Sequence, residues 1–152
     1  MEITVKEYTK DRLEDVLAFE AELRKEEDFW GWDIDDKYIS DVTKSFSDPA
    51  FHDSISLLAY EEDRVVGRID ACLIHSRFDG STKAYLDWIC VLKSRRHQGV
   101  GQKLLAQLRS LLKERKVDTL IALTASNEEA QRFYQAIEDS QMHDIGIWID
   151  IK

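Results

Sequence analysis

The stretch Arg96-His97-Gln98-Gly99-Val100-Gly101 constrains the fold of this chain more than any other, because of what stands on either side of it. Before it, Tyr85-Leu86-Asp87-Trp88-Ile89-Cys90-Val91-Leu92 is an apolar run rich in aromatic and β-branched residues, which predicts a buried strand. After it, Val100, Leu104, Leu108 and Leu112 recur every four residues, with Leu105 and Leu111 beside them, which predicts an amphipathic helix over about 98–115. Two glycines one residue apart let a backbone approach a ligand closely, and the first-turn amides of the helix are free donors at its positive end. Strand, tight turn and helix in that order make an anion site.

Charge supports this. Between Trp88 and Lys113 the chain carries Lys93, Arg95, Arg96, Lys103, Arg109 and Lys113 and no Asp or Glu, although its formal net charge is -9. A phosphate-binding Gly-Lys-Ser/Thr loop does not fit, since Gly101 is followed by Gln102 and Lys103-Leu104. Nor does a dinucleotide Gly-x-Gly-x-x-Gly turn, whose third glycine would fall at Leu104. Arg/Gln-x-x-Gly-x-Gly/Ala does fit, with Arg96, Gly99 and Gly101 in place, and downstream Asn127, Ala130, Phe133 and Tyr134 match Asn-x-x-Ala-x-x-Phe/Leu-Tyr. The two motifs resemble those of the GNAT superfamily of N-acetyltransferases.

The rest of the chain is read in order. Residues 2–6 alternate as a first strand; Thr9 is a candidate cap for a helix marked by Leu13, Val16, Leu17, Phe19 and Leu23; and a second helix is expected over about 35–46, ahead of Pro49. Residues 55–60 and 65–75 predict an antiparallel hairpin, Asp79-Gly80 a turn, 118–124 a strand, Asn127 a cap for a helix carrying Phe133 and Tyr134, and 145–151 a closing strand. A hairpin feeding a strand–helix–strand crossover implies an α/β fold, a mixed central sheet with helices on both faces. The resemblance gives the same GNAT-like order over nearly the whole chain, and with it a single acetyl-CoA-dependent N-acetyltransferase domain over 1–152. After Tyr134 the chain departs from the family: residues 135–140 hold neither the Gly nor the Phe that often opens the final strands there.

By this resemblance, backbone amides of Arg96, His97, Gln98, Gly99, Val100 and Gly101 cradle the pyrophosphate of acetyl-CoA. The pantetheine arm runs beside Cys90 and Val91, where the Val91 amide is the candidate donor to the thioester oxygen, and Asn127 is a candidate both for helix cap and for cofactor contact. Tyr134 is the candidate general acid for the departing thiolate. Asp87 is the candidate base: alternation puts Tyr85, Asp87 and Ile89 on one face of the central strand, opposite Leu86, Trp88 and Cys90, and a carboxylate within an apolar buried strand needs a reason. Glu61, Glu62 and Asp70 are alternatives, as is a structural role for Asp87. Trp30 and Trp32 fall where the family's acceptor loop lies and could hold an amine by cation–π contact, or else anchor the loop.

Between Asp11 and Asp36 there are eleven acidic residues against Arg12, Arg24 and Lys25, a local net charge of -8. A small cationic acceptor, such as a polyamine or an aminoglycoside-like amine, would suit that segment, and direct transfer in a ternary complex is the expected route. Acetylation of a protein lysine or N-terminus is the alternative within enzymes, and a non-catalytic acyl-CoA sensor the alternative outside them. An acidic chain is a poor match for nucleic acid. No apolar run approaches the ~20 residues of a membrane span and the start lacks a basic segment followed by an apolar one, so no membrane and a cytoplasmic location are expected. His52, His75, His97 and His143 lack metal-ligand spacing, Cys72 and Cys90 are expected as reduced thiols, and no metal is implied. A homodimer is compatible with the family.

Overall fold

In the computed structural model of the chain, which describes residues 2–27 and 32–151, two compact units are distinguished, Met1–Ile121 and Ala122–Lys152. The first holds β1 (Ile3–Glu7), α1 (Leu13–Glu26), α2 (Asp36–Ser45), β2 (Ser54–Glu61), β3 (Arg64–His75), β4 (Thr82–Val91) and α3 (Val100–Glu114). It ends within β5 (Leu120–Ala122), and the second unit carries α4 (Glu128–Gln135). The sheet order is β1-β2-β3-β4-β5, antiparallel through the first four strands.

Alternation along β3 sets the layers. An ideal Cβ on Gly67 would meet Val100 Cγ1 at 3.0 Å and Leu104 Cδ1 at 3.2 Å, so this residue faces α3. Its neighbour Arg68 ion-pairs at 3.2 Å with Glu20 of α1. Successive residues of a strand point to opposite faces, so α1 and α3 cover opposite sides of the sheet, as expected. The α3 face buries Val100, Leu104, Leu105, Leu108 and Leu112; α1 contributes Val16, Phe19 and Leu23.

Gly67 is a glycine for its lack of bulk, since it admits the first turn of α3 against the sheet. Gly67→Val should therefore lower unfolding free energy by about 1–3 kcal/mol through overpacking, read as a lowered urea midpoint at unchanged slope.

Of the two caps expected from the sequence, Asn127 forms and Thr9 does not, and Asp35 supplies a further one. Asp35 accepts from Tyr38 N at 2.8 Å ahead of α2, and Asn127 from Ala130 N at 2.8 Å ahead of α4. Thr9 does not cap α1. Its hydroxyl bonds Asp11 and receives Arg12 Nη1 at 2.6 Å, a short 3-10 turn fills 10–12, and α1 starts at Leu13.

Two expectations are corrected. The register of β3 with β4 runs Cys90↔Arg68, Ile89↔Ile69, Trp88↔Asp70 and then Leu86↔Ala71, which leaves Asp87 as the extra residue of a bulge. The bulge breaks the alternation: Trp88 and Cys90 share the α1 face with Asp70 and Arg68, whereas Leu86 shares the α3 face with Ala71. Asp87 itself is exposed rather than buried. The closing strand also fails to form, since residues 141–151 are in neither helix nor strand and are exposed throughout.

Candidate active site

The turn between β4 and α3 owes its shape to two left-handed residues, His97 with φ 61° and Gly99 with φ 81°. Gly99 precedes the helix without a side chain to cap it. The amides of Val100, Gly101 and Gln102, which point back along the helix axis, therefore have no intrahelical acceptor, and an anion in front of them meets converging donors and the positive end of the dipole. A Cβ on Gly99 would have no atom within 4 Å, so the approach is open.

The arginines of this stretch are engaged by carboxylates of the protein. Arg96 donates from Nε to Val91 O at 3.1 Å and from Nη2 to Glu27 Oε1 at 2.6 Å, which ties the end of β4 to the residue that follows α1. Arg95 pairs with Glu61 at 2.9 Å, and the Ser94 amide donates to Glu26 at 3.3 Å. The Arg96 side chain is thus engaged within the protein. The side chain braces the turn. Sequence reasoning missed Glu27 as its partner, and the unbroken row of acids at 26–28 was the available signal.

Beside the turn, Cys90 is buried and burial pushes its thiol up to about 11. The Cys72 thiol is also raised, chiefly by burial and then by the charges of Asp87 and Asp53. Neither is an activated nucleophile.

On the α1 face lies a buried polar cluster. Arg68 Nη1 reaches Glu20 Oε1 at 3.2 Å, and its Nη2 and Nε lie 3.0 and 2.7 Å from the two oxygens of Asp70. Tyr38 donates to Glu20 at 2.6 Å and Ser56 to Asp70 at 2.6 Å. The Arg68 guanidinium stacks 4.9 Å from the Tyr8 ring and 5.6 Å from the Trp88 ring. Burial, with the carboxylates of Glu20 and Asp70 beside it, pushes the Tyr8 phenol up to about 12 despite Arg68. Burial also raises Tyr38, as does its bond to Glu20. The cluster was legible in part: Glu20 interrupts the apolar stripe Val16, Phe19, Leu23 of α1, and Arg68 and Asp70 alternate within an otherwise apolar strand.

Trp32 packs edge-on against Trp88 at 5.7 Å and lies 6.3 Å from Tyr38; the Arg24 guanidinium stands 5.5 Å from its ring and donates to its carbonyl at 2.7 Å. That is the anchoring arrangement. Trp30 lies outside the described residues. Asp70 and Glu61, alternatives to Asp87 as base, are engaged by Arg68 and Arg95.

In the second unit, Tyr134 is half-buried on α4 with Phe133 at 5.4 Å, and Asn127 caps the helix. Among the described residues no group of His, Cys, Asp or Glu is arranged to hold a metal ion, and no helix is long and apolar enough to cross a membrane.

A family model described as the acetyltransferase (GNAT) family matches residues 4–137. No curated protein sequence matches the chain. Among solved structures, an aminoglycoside acetyltransferase from an uncultured soil metagenomic sample, in complex with trehalose, aligns with TM-score 0.82 at 14% identity over 99% of this chain and 97% of that one. AAC(6')-Iy in complex with the bisubstrate analogue CoA-S-monomethyl-acetylneamine aligns at 0.78 and 19% identity over 100% of both. A ribosomal-protein-alanine N-acetyltransferase from Brucella melitensis biovar Abortus 2308 aligns at 0.76 and 15% identity, again over 100% of both. These likenesses are likenesses of fold.

Proposed function

Because this chain belongs to the GNAT acetyltransferase family, we propose that it moves an acetyl group from acetyl-CoA to the primary amine of a small cationic acceptor, an aminoglycoside-like molecule or a polyamine. The family match crosses the boundary between the two units, which supports one catalytic domain. The observation that carries the reading is the uncapped start of α3 behind Gly99, a cradle suited to a diphosphate. The acceptor class rests on the -8 charge of residues 11–36 and on the aminoglycoside enzymes among the structural relatives.

The chemistry follows from the groups present. The amine nitrogen attacks the thioester carbonyl, the tetrahedral oxyanion collapses, and the C–S bond breaks to release coenzyme A as thiolate. An amine of pKa ~10.4 arrives protonated and must first lose a proton; Asp87, exposed at the bulge, is the proposed acceptor, directly or through water. Tyr134 is the proposed donor to the thiolate, and the Val91 amide the proposed donor to the oxyanion. Neither cysteine is fitted to carry the acetyl group, which favours direct transfer in a ternary complex. The likeness to a ribosomal-protein-alanine N-acetyltransferase supports a protein N-terminus as the second reading.

Acetyl-CoA at a hundred times its Kd should stabilise the protein by ~2.7 kcal/mol, seen as a raised Tm. Free-thiol release is then measured with aminoglycosides, polyamines and alanine-started peptides. Release with the first two supports the proposal, release with peptides alone replaces it with the second reading, and no release with any amine leaves a sensor. Tyr134→Phe should bind acetyl-CoA as the parent does and lower kcat by about 100-fold. An unchanged kcat removes Tyr134 from the chemistry.

A further inference from the structure

The last residue of β4 is held from two sides. On one side, the bond from Leu92 N to Val66 O at 3.0 Å makes Gly67 and Val91 a non-hydrogen-bonded pair of the antiparallel ladder. Both main-chain groups of Val91 therefore point to the edge of β4 that faces away from β3. On that edge the Val91 carbonyl accepts Arg96 Nε at 3.1 Å, and Arg96 Nη2 reaches Glu27 Oε1 at 2.6 Å. The Val91 amide, the proposed oxyanion donor, leaves the strand on the same edge.

We propose that Glu27 is a positioning residue for acetyl transfer: by holding the Arg96 guanidinium against the Val91 carbonyl, it fixes the aim of the Val91 amide. This rests on the acetyltransferase reading and on Val91 as the donor. The magnitudes say where the effect falls. The Arg96 and Glu27 side chains are 25% and 30% exposed, so their ion pair adds little to stability. Aim matters far more, since an oxyanion donor must point at the place where charge develops and a misplacement of 1 Å can cost ~100-fold in rate. The amides that would meet phosphate belong to α3, which is anchored by buried Val100 and Leu104, so cofactor binding does not depend on Glu27.

The test compares Glu27→Ala with Glu27→Gln, which keeps an acceptor for Arg96, in assays with acetyl-CoA and an aminoglycoside or polyamine. Glu27→Ala should lower kcat about tenfold and Glu27→Gln by less than about threefold, while calorimetry gives both the parent's Kd for acetyl-CoA. Adding Glu27→Ala to Arg96→Ala should lower kcat no further, because Glu27 acts through Arg96. In the unliganded protein, the Arg96 Nε proton should be protected from exchange in the NMR spectra of the parent and of Glu27→Gln, and lose protection in Glu27→Ala. An active parent whose Glu27→Ala variant keeps its kcat or its Nε protection, a loss in Kd rather than kcat, equal losses for Ala and Gln, or additive losses with Arg96→Ala would each overturn the proposal. A parent that transfers to no amine fails at the acetyltransferase reading itself and takes this proposal with it.

Discussion

Gly99→Glu is expected to fold and to lose acetyl-CoA binding altogether. The fold should tolerate the change because a Cβ there meets no atom within 4 Å. The cost is conformational: φ of 81° is left-handed, which takes ~1–2 kcal/mol from any residue with a Cβ. A carboxylate at the start of α3 is itself favourable toward the helix dipole, which offsets part of that strain. The same carboxylate removes the site, because it occupies the position where the amides of Val100 and Gly101 would meet phosphate and repels what it does not block. Calorimetric titration should give no binding heat for the variant, while its unfolding curve stays within ~2 kcal/mol of the parent. Gly99→Ala separates the effects, since it carries the strain without the charge and should bind measurably more weakly than the parent but still saturate. If Gly99→Glu binds as the parent does, the cradle is not at the start of α3.

Arg68→Met should have the largest effect on stability, about 3–5 kcal/mol. Among the described residues Arg68 is the one cation of the buried cluster, with its side chain 14% exposed and Glu20 fully buried. Methionine would fill much of the volume and lie against the Tyr8 and Trp88 rings, so packing is not the main loss. What remains is two carboxylates, Glu20 and Asp70, in a poorly solvated layer, to which among the described residues Tyr38 and Ser56 donate. The double-mutant cycle tests this cause: Glu20→Gln added to Arg68→Met should recover part of the deficit, because it removes one stranded charge. A loss below about 1 kcal/mol for Arg68→Met, or no coupling to Glu20, would show that the cluster is solvated well enough not to need its arginine.

The first of these effects was partly visible in the linear chain. Gly99 could be singled out because a glycine between a strand and a helix announces a backbone need, and the apolar spacing of Val100 to Leu112 located the helix it starts. The hairpin, the turn at Asp79-Gly80 and the cap at Asn127 were legible for the same reason: each depends on residues within a few positions of one another. Where such rules failed, a distant group had intervened. Asp87 was placed in the core by counting twos along a strand, and one unpaired residue against β3 carried it to the surface. Thr9 yielded its capping role to contacts with Asp11 and Arg12.

The order of the elements, the type of most of them and the glycine turn ahead of α3 therefore came from local chemistry, which the chain carries wherever it is read. The partners of charged side chains did not. Arg96 finds Glu27 across 69 positions and Arg68 finds Glu20 across 48. Nothing in the spacing of those residues says that they meet. Desolvation in the packed layers makes an unpaired charge costly, so the assembled sheet and helices decide which carboxylate each arginine takes, and which side chains are left for catalysis.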